Sequence, residues 1–171
     1  METFQRSGPG PMTSEMQFTR DRATHEDIVR HLRLCDTDFV PALSTRVQIP
    51  EYAEKLVSHA ARFEAWQHGI LVGLIAAYCN DRENPGAYIT SVSVLADLQH
   101  HGVGASLLRR CLEYLIDQEF TYVELQVDSR NDKAIRFYER FGFQAVRADG
   151  QATIMSLKMG KEGINEQPTG L

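Results

Sequence analysis

Residues 88 to 128 constrain the chain more tightly than any other stretch. Tyr88 to Leu95 is a strand-like run, and Gly102 and Gly104 then sit in a short polar turn. From Val103 the apolar side chains recur at Leu107, Leu108, Cys111, Leu112, Leu115 and Ile116, one stripe of a helix running to about Glu119. Beyond it Tyr122 to Asp128 alternates strictly, with Val123, Leu125 and Val127 on one side. A helix crossing over between two strands leaves them parallel. The two glycines remove Cβ atoms where the chain turns into the helix. A ligand arriving there would meet main-chain N–H groups without intrahelical partners, and these groups together with the helix dipole favour an anion.

The flanking elements are antiparallel. Residues 16 to 22 allow a short edge strand, followed by a helix with Thr24 as N-cap, Asp27 at N3 and an apolar face of Ile28, Leu32 and Cys35. An X-Pro break follows at Val40-Pro41, and Pro50 opens a second helix with Tyr52, Leu56, Val57 and Ala60 on its apolar face. Two strands, 62 to 67 and 70 to 79, are joined by His68-Gly69, a two-residue hairpin signal. After the parallel pair a short helix spans 131 to 141 and ends at Gly142, and 143–147 with 153–159 form a closing hairpin around Asp149-Gly150. The expected class is α+β in one domain over 18–160. A mobile tail is expected at 1–17 and a loose one at 161–171.

Composition narrows the function classes. With 171 residues and 43% apolar side chains the chain can bury one sizeable core. The 18 basic and 23 acidic residues give a net charge of −5 without a Lys/Arg cluster, which argues against nucleic acid and would suit a cationic amine. Cys35, Cys79 and Cys111 are scattered and show no C-x-x-C spacing, so neither a disulfide framework nor a metal site is expected. No apolar run reaches the length of a membrane span and residues 1–17 lack the apolar core of a signal peptide, so a cytoplasmic location and no membrane partner are expected.

Two motifs carry a family resemblance. Gln99-x-x-Gly102-x-Gly104-Ala105 resembles the Q/R-x-x-G-x-G/A acetyl-CoA loop of the GNAT superfamily of N-acetyltransferases, and it follows a strand and opens a helix as in that family. The dinucleotide fingerprint does not fit, because Leu107 stands where its third glycine belongs. More specific is Leu125-x-Val127-x-x-x-Asn131-x-x-Ala134-x-x-Phe137-Tyr138-x-x-x-Gly142-Phe143, which resembles the GNAT segment nearly position for position. The resemblance covers roughly Phe63 to Met159. It implies the GNAT acyl-CoA N-acyltransferase fold: a mixed sheet with antiparallel N-terminal strands, a splayed parallel central pair and flanking helices.

By the same resemblance acetyl-CoA is the co-substrate. Its pyrophosphate would lie against the loop from Gln99, His100 and His101 through Gly102, Val103, Gly104 and Ala105. Its pantetheine arm would meet the main chain of Val92 and Val94 and the side of Asn131 and Ala134. Tyr138 would serve the departing thiolate as general acid. Asn131 reads equally as an N-cap, and Phe137 as aromatic packing. Ala96 replaces a common proline and His100-His101 replace the usual basic pair, which brings less positive charge to a pyrophosphate. The segment Tyr88 to Val94 lacks the acidic residue many members place there, so no general base can be named. Glu124 and Asp128 read as solvated charges, and a water relay through Ser91 or Ser93, or an amine arriving neutral, would serve instead. The expected activity is acetyl transfer to a primary amine of a small molecule, such as an amino sugar, polyamine or antibiotic. A peptide or protein amine, an acyl group longer than acetyl, a non-catalytic acyl-CoA-binding module and a homodimer stay open.

Overall fold

The computed structural model describes residues 15–160, so most of both expected tails lies outside the described residues. Seven strands form one mixed sheet. They are β1 (Gln17–Arg20), β2 (Ala61–Gln67), β3 (Ile70–Tyr78), β4 (Gly86–Val94), β5 (Tyr122–Asp128), β6 (Gln144–Asp149) and β7 (Ala152–Lys158). Their order is β1-β2-β3-β4-β5-β7-β6, and β4 with β5 is the parallel pair. Four helices accompany them: α1 (His25–Cys35), α2 (Ile49–His59), α3 (Val103–Asp117) and α4 (Asp132–Arg140).

Each helix starts where its sequence provides a stop for the preceding chain. Thr24 and Asp27 form a reciprocal capping box on α1. Pro50 lies in the first turn of α2, where its missing N–H costs no hydrogen bond. Gly102 (φ 77) caps α3 in the left-handed conformation, and Asn131 caps α4 by accepting from the Ala134 N–H at 3.2 Å.

The sheet has a core on each face. On one side α3 buries Leu107, Leu108, Cys111, Leu112 and Leu115 against Ile75, Ile89, Val123 and Leu125. Gly73 of β3 permits that approach, since a Cβ there would lie 2.9 Å from Leu107 Cδ1. On the other side α1 and α2 bury Ile28, Leu32, Ala53 and Leu56 against Leu71, Leu74 and Ala76.

The β3–β4 register shifts between Ala76 and Ala77. Ser91 pairs with Ala76 and Ile89 with Ala77, which leaves Thr90 unpaired as a bulge. The bulge inverts the alternation: Ala87 and Ile89, then Val92 and Val94, join the α3 core, while Ser93 faces α1. Period-two reading of the sequence would have put Ile89 and Ser93 on one face. Boundary differences elsewhere are small. β1 spans Gln17–Arg20 within the expected 16–22, β4 starts at Gly86 and ends at Val94, and α3 stops at Asp117.

Under α1 lies a polar contact the apolar pattern did not disclose. His31 is 1% exposed, with Nδ1 3.0 Å from the Leu71 carbonyl and Nε2 2.8 Å from Ser93 Oγ. A carbonyl only accepts, so Nδ1 carries the hydrogen and Nε2 accepts from the Ser93 hydroxyl. Burial pulls the imidazole down to about 4 from its ordinary 6.5, with the two hydrogen bonds opposing in part. Folding therefore excludes a proton that the unfolded chain binds. The stability tied to neutral His31 is complete above pH 6.5 and is lost as pH falls from 6.5 toward 4, about 3 kcal/mol in all. Urea unfolding at pH 7.5 and 4.5 measures it. His31→Gln, which can keep both hydrogen bonds but cannot titrate, should remove most of the wild-type decline over that interval.

Candidate active site

Parallel pairing of β4 with β5 runs from Gly86 with Tyr122 to Ile89 with Leu125 and stops there. β5 continues to Asp128 in register with β7, and Val92 to Val94 remain paired with β3. The two strands therefore part at the Thr90 bulge, and a groove passes through the sheet where they separate. Two cavities, of about 520 Å³ and 380 Å³, occupy its ends.

The smaller cavity lies at the start of α3. Val92, Val94, Gln99, His100, Gly102, Val103, Gly104 and Ala105 line it, as do Asn131, Ala134 and Tyr138. The structure thus brings together every residue expected there except His101. With His100 (φ 69) and Gly102 (φ 77) both left-handed, the turn carries His101 out to solvent, away from the lining. The first turn of α3 lines this end, and Gly102 supplies no capping side chain to occupy its N–H groups. Gln99 differs from a free ligand contact: its Nε2 donates to the Val94 carbonyl at 3.2 Å, so it ties the loop back to β4.

Lys133 was missed by sequence reasoning. From the first turn of α4 its Nζ reaches Gln99 Oε1 at 3.2 Å and His100 Nε2 at 3.5 Å, and it lines the same cavity. The charge absent from the loop is thus brought by a neighbouring helix. Its position two residues after Asn131 was a signal in the sequence, but only the fold shows that this turn faces the loop.

The larger cavity opens on the α1–α2 side. Phe39, Arg46, Tyr52 and Tyr88 wall it together with Gln126, Asp149 and Gln151. The loop between α1 and α2 is held by Asp36, whose carboxylate accepts from Ser44 N and Ser44 Oγ at 2.7 Å each, and these bonds lower its pKa. Tyr52 binds the bulge, with its hydroxyl 3.0 Å from the Thr90 carbonyl and 2.8 Å from Thr90 Oγ1. Burial pushes that phenol up to about 12, so it stays protonated. Phe39, Arg46 and Tyr52 come from the segment between the first two strands, and the sequence singled out none of them as a wall.

Where the cavities meet, Asp38, Phe39, Val92, Asn131, Ala134 and Tyr138 line both. Tyr138 is 8% exposed and its ring is fixed against Phe137 and Phe143, with centroids 5.3 and 5.8 Å away. Burial raises its pKa. Phe137 packs edge-on against Tyr138 and Phe141, in keeping with a packing role.

Of the two carboxylates and two hydroxyls considered for proton transfer, three are otherwise engaged. Glu124 accepts two bonds from Arg147, at 2.8 and 3.2 Å. Asp128 is bidentate with Arg130, whose hydrogen bonds bring it down to about 2. Ser93 has committed its proton to His31. Ser91, 4% exposed, lies near the Tyr52 phenol but makes no bond of good geometry. Among the described residues no group of three His, Cys, Asp or Glu could hold a metal, and no helix is long and apolar enough to cross a membrane.

Comparison with known proteins agrees with this geometry. The model of the acetyltransferase (GNAT) family matches residues 25–143. An uncharacterized N-acetyltransferase of Methanocaldococcus jannaschii is 35% identical over 81 residues, which is 45% of this chain and 36% of that protein. The match thus spans little more than a third of the relative's length. Among solved structures, the PaiA N-acetyltransferase of Thermoplasma acidophilum in complex with coenzyme A superposes with a TM-score of 0.69 at 17% identity, over 85% of this chain and 99% of that one. The ribosomal-protein-S18-alanine N-acetyltransferase of Escherichia coli superposes with a TM-score of 0.65 at 21% identity, over 87% and 98% of the two chains. These likenesses are of fold, and the family match spans most of the described chain. With its model matched over that span, the chain belongs to the acetyltransferase (GNAT) family, whose members draw their acetyl group from acetyl-CoA.

Proposed function

We propose that this protein transfers an acetyl group from acetyl-CoA to a primary amine of a small molecule by direct attack. One observation carries the reading: a continuous groove through the parted β4 and β5, with unpaired helix N–H groups at one end and the Tyr138 hydroxyl at its waist. In this reading the pyrophosphate rests on the N–H groups of Val103, Gly104 and Ala105, with Lys133 as its nearest cation. The pantetheine arm follows β4 along Val92 and Val94 and passes Asn131 and Ala134. The acceptor enters from the aromatic end.

The attacking nitrogen forms a bond to the thioester carbon, the carbonyl electrons move to oxygen, and collapse of that intermediate breaks the carbon–sulfur bond. Tyr138 donates a hydrogen bond to the sulfur as its negative charge grows and gives up its proton as the thiolate leaves. A raised pKa makes a phenol a poorer acid, but it keeps the hydroxyl protonated throughout the working range, which donation to sulfur requires.

A peptide amine is the reading next in order, favoured by the likeness to the ribosomal-protein-S18-alanine N-acetyltransferase. Acetyl-CoA consumption over a panel of amino sugars, polyamines, amino acids and peptides with free N-termini decides between them. Turnover confined to peptides would replace the small-molecule assignment, and binding of acetyl-CoA without turnover on any amine would leave a binding module.

Three variants test the parts. At Gly104 a Cβ would meet Phe137 Cζ and Val94 Cγ2 at 3.7 Å, ordinary contacts, so the fold tolerates a side chain. The longer branches of Gly104→Val project into the cavity, and the Kd for CoA should rise at least tenfold, about 1.4 kcal/mol, with little change in Tm. Lys133→Met should weaken CoA by severalfold and reduce the salt dependence of its Kd, because one screened charge contact is lost. Tyr138→Phe conserves the ring, so Tm should hold within a few degrees while kcat falls about 10²-fold with acetyl-CoA Kd unchanged. A wild-type kcat in Tyr138→Phe would return that residue to a packing role.

A further inference from the structure

The reaction proposed above needs a group to receive a proton from the acceptor nitrogen, and the strands around the groove offer no free carboxylate at its waist. The geometry points to Asp38, from the 3-10 turn Asp36–Asp38 after α1, as the general base of this acetyl transfer. The inference rests on the transfer reading and goes beyond it by naming the residue that takes the proton.

Three observations place it. Asp38 lines both cavities, so it stands at their junction, as Tyr138 does. It comes from the α1–α2 face of the sheet, whereas Tyr138 packs within the core on the α3 face, so the two groups approach the gap from opposite sides. Its carboxylate makes no hydrogen bond or ion pair with any described residue.

The neighbouring carboxylates are accounted for. Asp36, two residues earlier, is spent on Ser44 and fixes the loop that carries Asp38. Glu124 and Asp128 are held by arginines. Asp149 lines only the acceptor cavity and not the junction. Sequence reading could not separate Asp36 from Asp38, because both are acidic residues in the same short polar turn.

The proton ledger closes with these two side chains. The amine attacks the thioester carbon and its nitrogen becomes cationic, and one N–H proton passes to the Asp38 carboxylate. The carbon–sulfur bond breaks with its electron pair going to sulfur, and the thiolate takes the Tyr138 proton. The products are the amide and free CoA thiol. Asp38 then loses its proton to solvent and Tyr138 regains one, so no other reactant is consumed.

The charged and titratable groups that share the two cavities with Asp38 are Cys35, His100, Lys133 and Arg140 on the CoA side, Arg46, Tyr52, Tyr88, Asp128 and Asp149 on the acceptor side, and Tyr138 at the junction. Burial pushes the Cys35 thiol up to about 12, so it stays neutral through the assay range. Imidazole is the residue type that changes charge near neutrality, so His100→Gln is measured in parallel.

The test is the pH profile of kcat/KM for the best acceptor amine from pH 6.5 to 9.5, with acetyl-CoA Kd measured by titration. Asp38→Asn should lower kcat/KM by about tenfold or more at pH 7 while leaving the acetyl-CoA Kd within twofold, the usual scale for a lost base. The deficit should shrink as pH rises toward the pKa of the acceptor nitrogen, where hydroxide removes the proton of the cationic addition intermediate without Asp38. Asp38→Glu should restore part of the rate, and His100→Gln should keep the wild-type pH dependence of the amine step. Asp36→Asn, which releases the loop, should lower the rate by the same factor at every pH and reduce Tm. A pH-independent deficit in Asp38→Asn, or none, would overturn the assignment while leaving the transfer reading intact. Failure of the wild-type protein to acetylate any amine overturns the transfer reading, and the base with it.

Discussion

The separation of β4 from β5 is the constraint on which the rest of the molecule depends. Two parallel strands pair over four residues and then diverge, because Thr90 bulges out of the β3–β4 ladder and β4 bends away while β5 stays with β7. An interior parallel pair that gives up hydrogen bonds must satisfy the exposed N–H and C=O groups in another way. Gln99 meets one of them at the Val94 carbonyl. The remaining open edge of β4 faces the groove.

The bulge also distributes the side chains of β4. Ile89, Val92 and Val94 are given to the apolar face under α3, while Ser93 turns to His31 beneath α1. A single extra residue thus joins a tightly packed helix on one face to a polar contact on the other. Tyr52 closes the arrangement by bonding Thr90 itself, so the second core, the bulge and the acceptor wall are mechanically one unit. The buried Glu64 contributes stiffness away from the groove. Fully enclosed, it accepts from Thr19 Oγ1 and from the Arg22 and Ala23 N–H groups, which fixes the entry to α1.

Electrostatically the groove is divided. At the α3 end the partial positive charge of the helix start is reinforced by Lys133, suited to an anion. At its waist one carboxylate and one phenol stand free, while neighbouring carboxylates are bound to arginines or to the loop backbone.

The sequence by itself determined the elements, their order and the parallel crossover, because each of those signals is local. Capping residues, glycines and apolar periodicity act within one turn or one strand, and the two motifs lie within single strand–loop–helix units. Thus α4, Gly142 and the His68-Gly69 hairpin were legible at the residue level. Only the tertiary structure decided the inversion of β4 at Thr90, the exclusion of His101, the arrival of Lys133 at the loop and the engagement of Asp36, but not Asp38, by Ser44. Each of these depends on groups far apart in the chain. A bulge is defined by the partner strand it fails to pair with, and a free carboxylate is recognised only when the donors that could have bound it have been placed elsewhere.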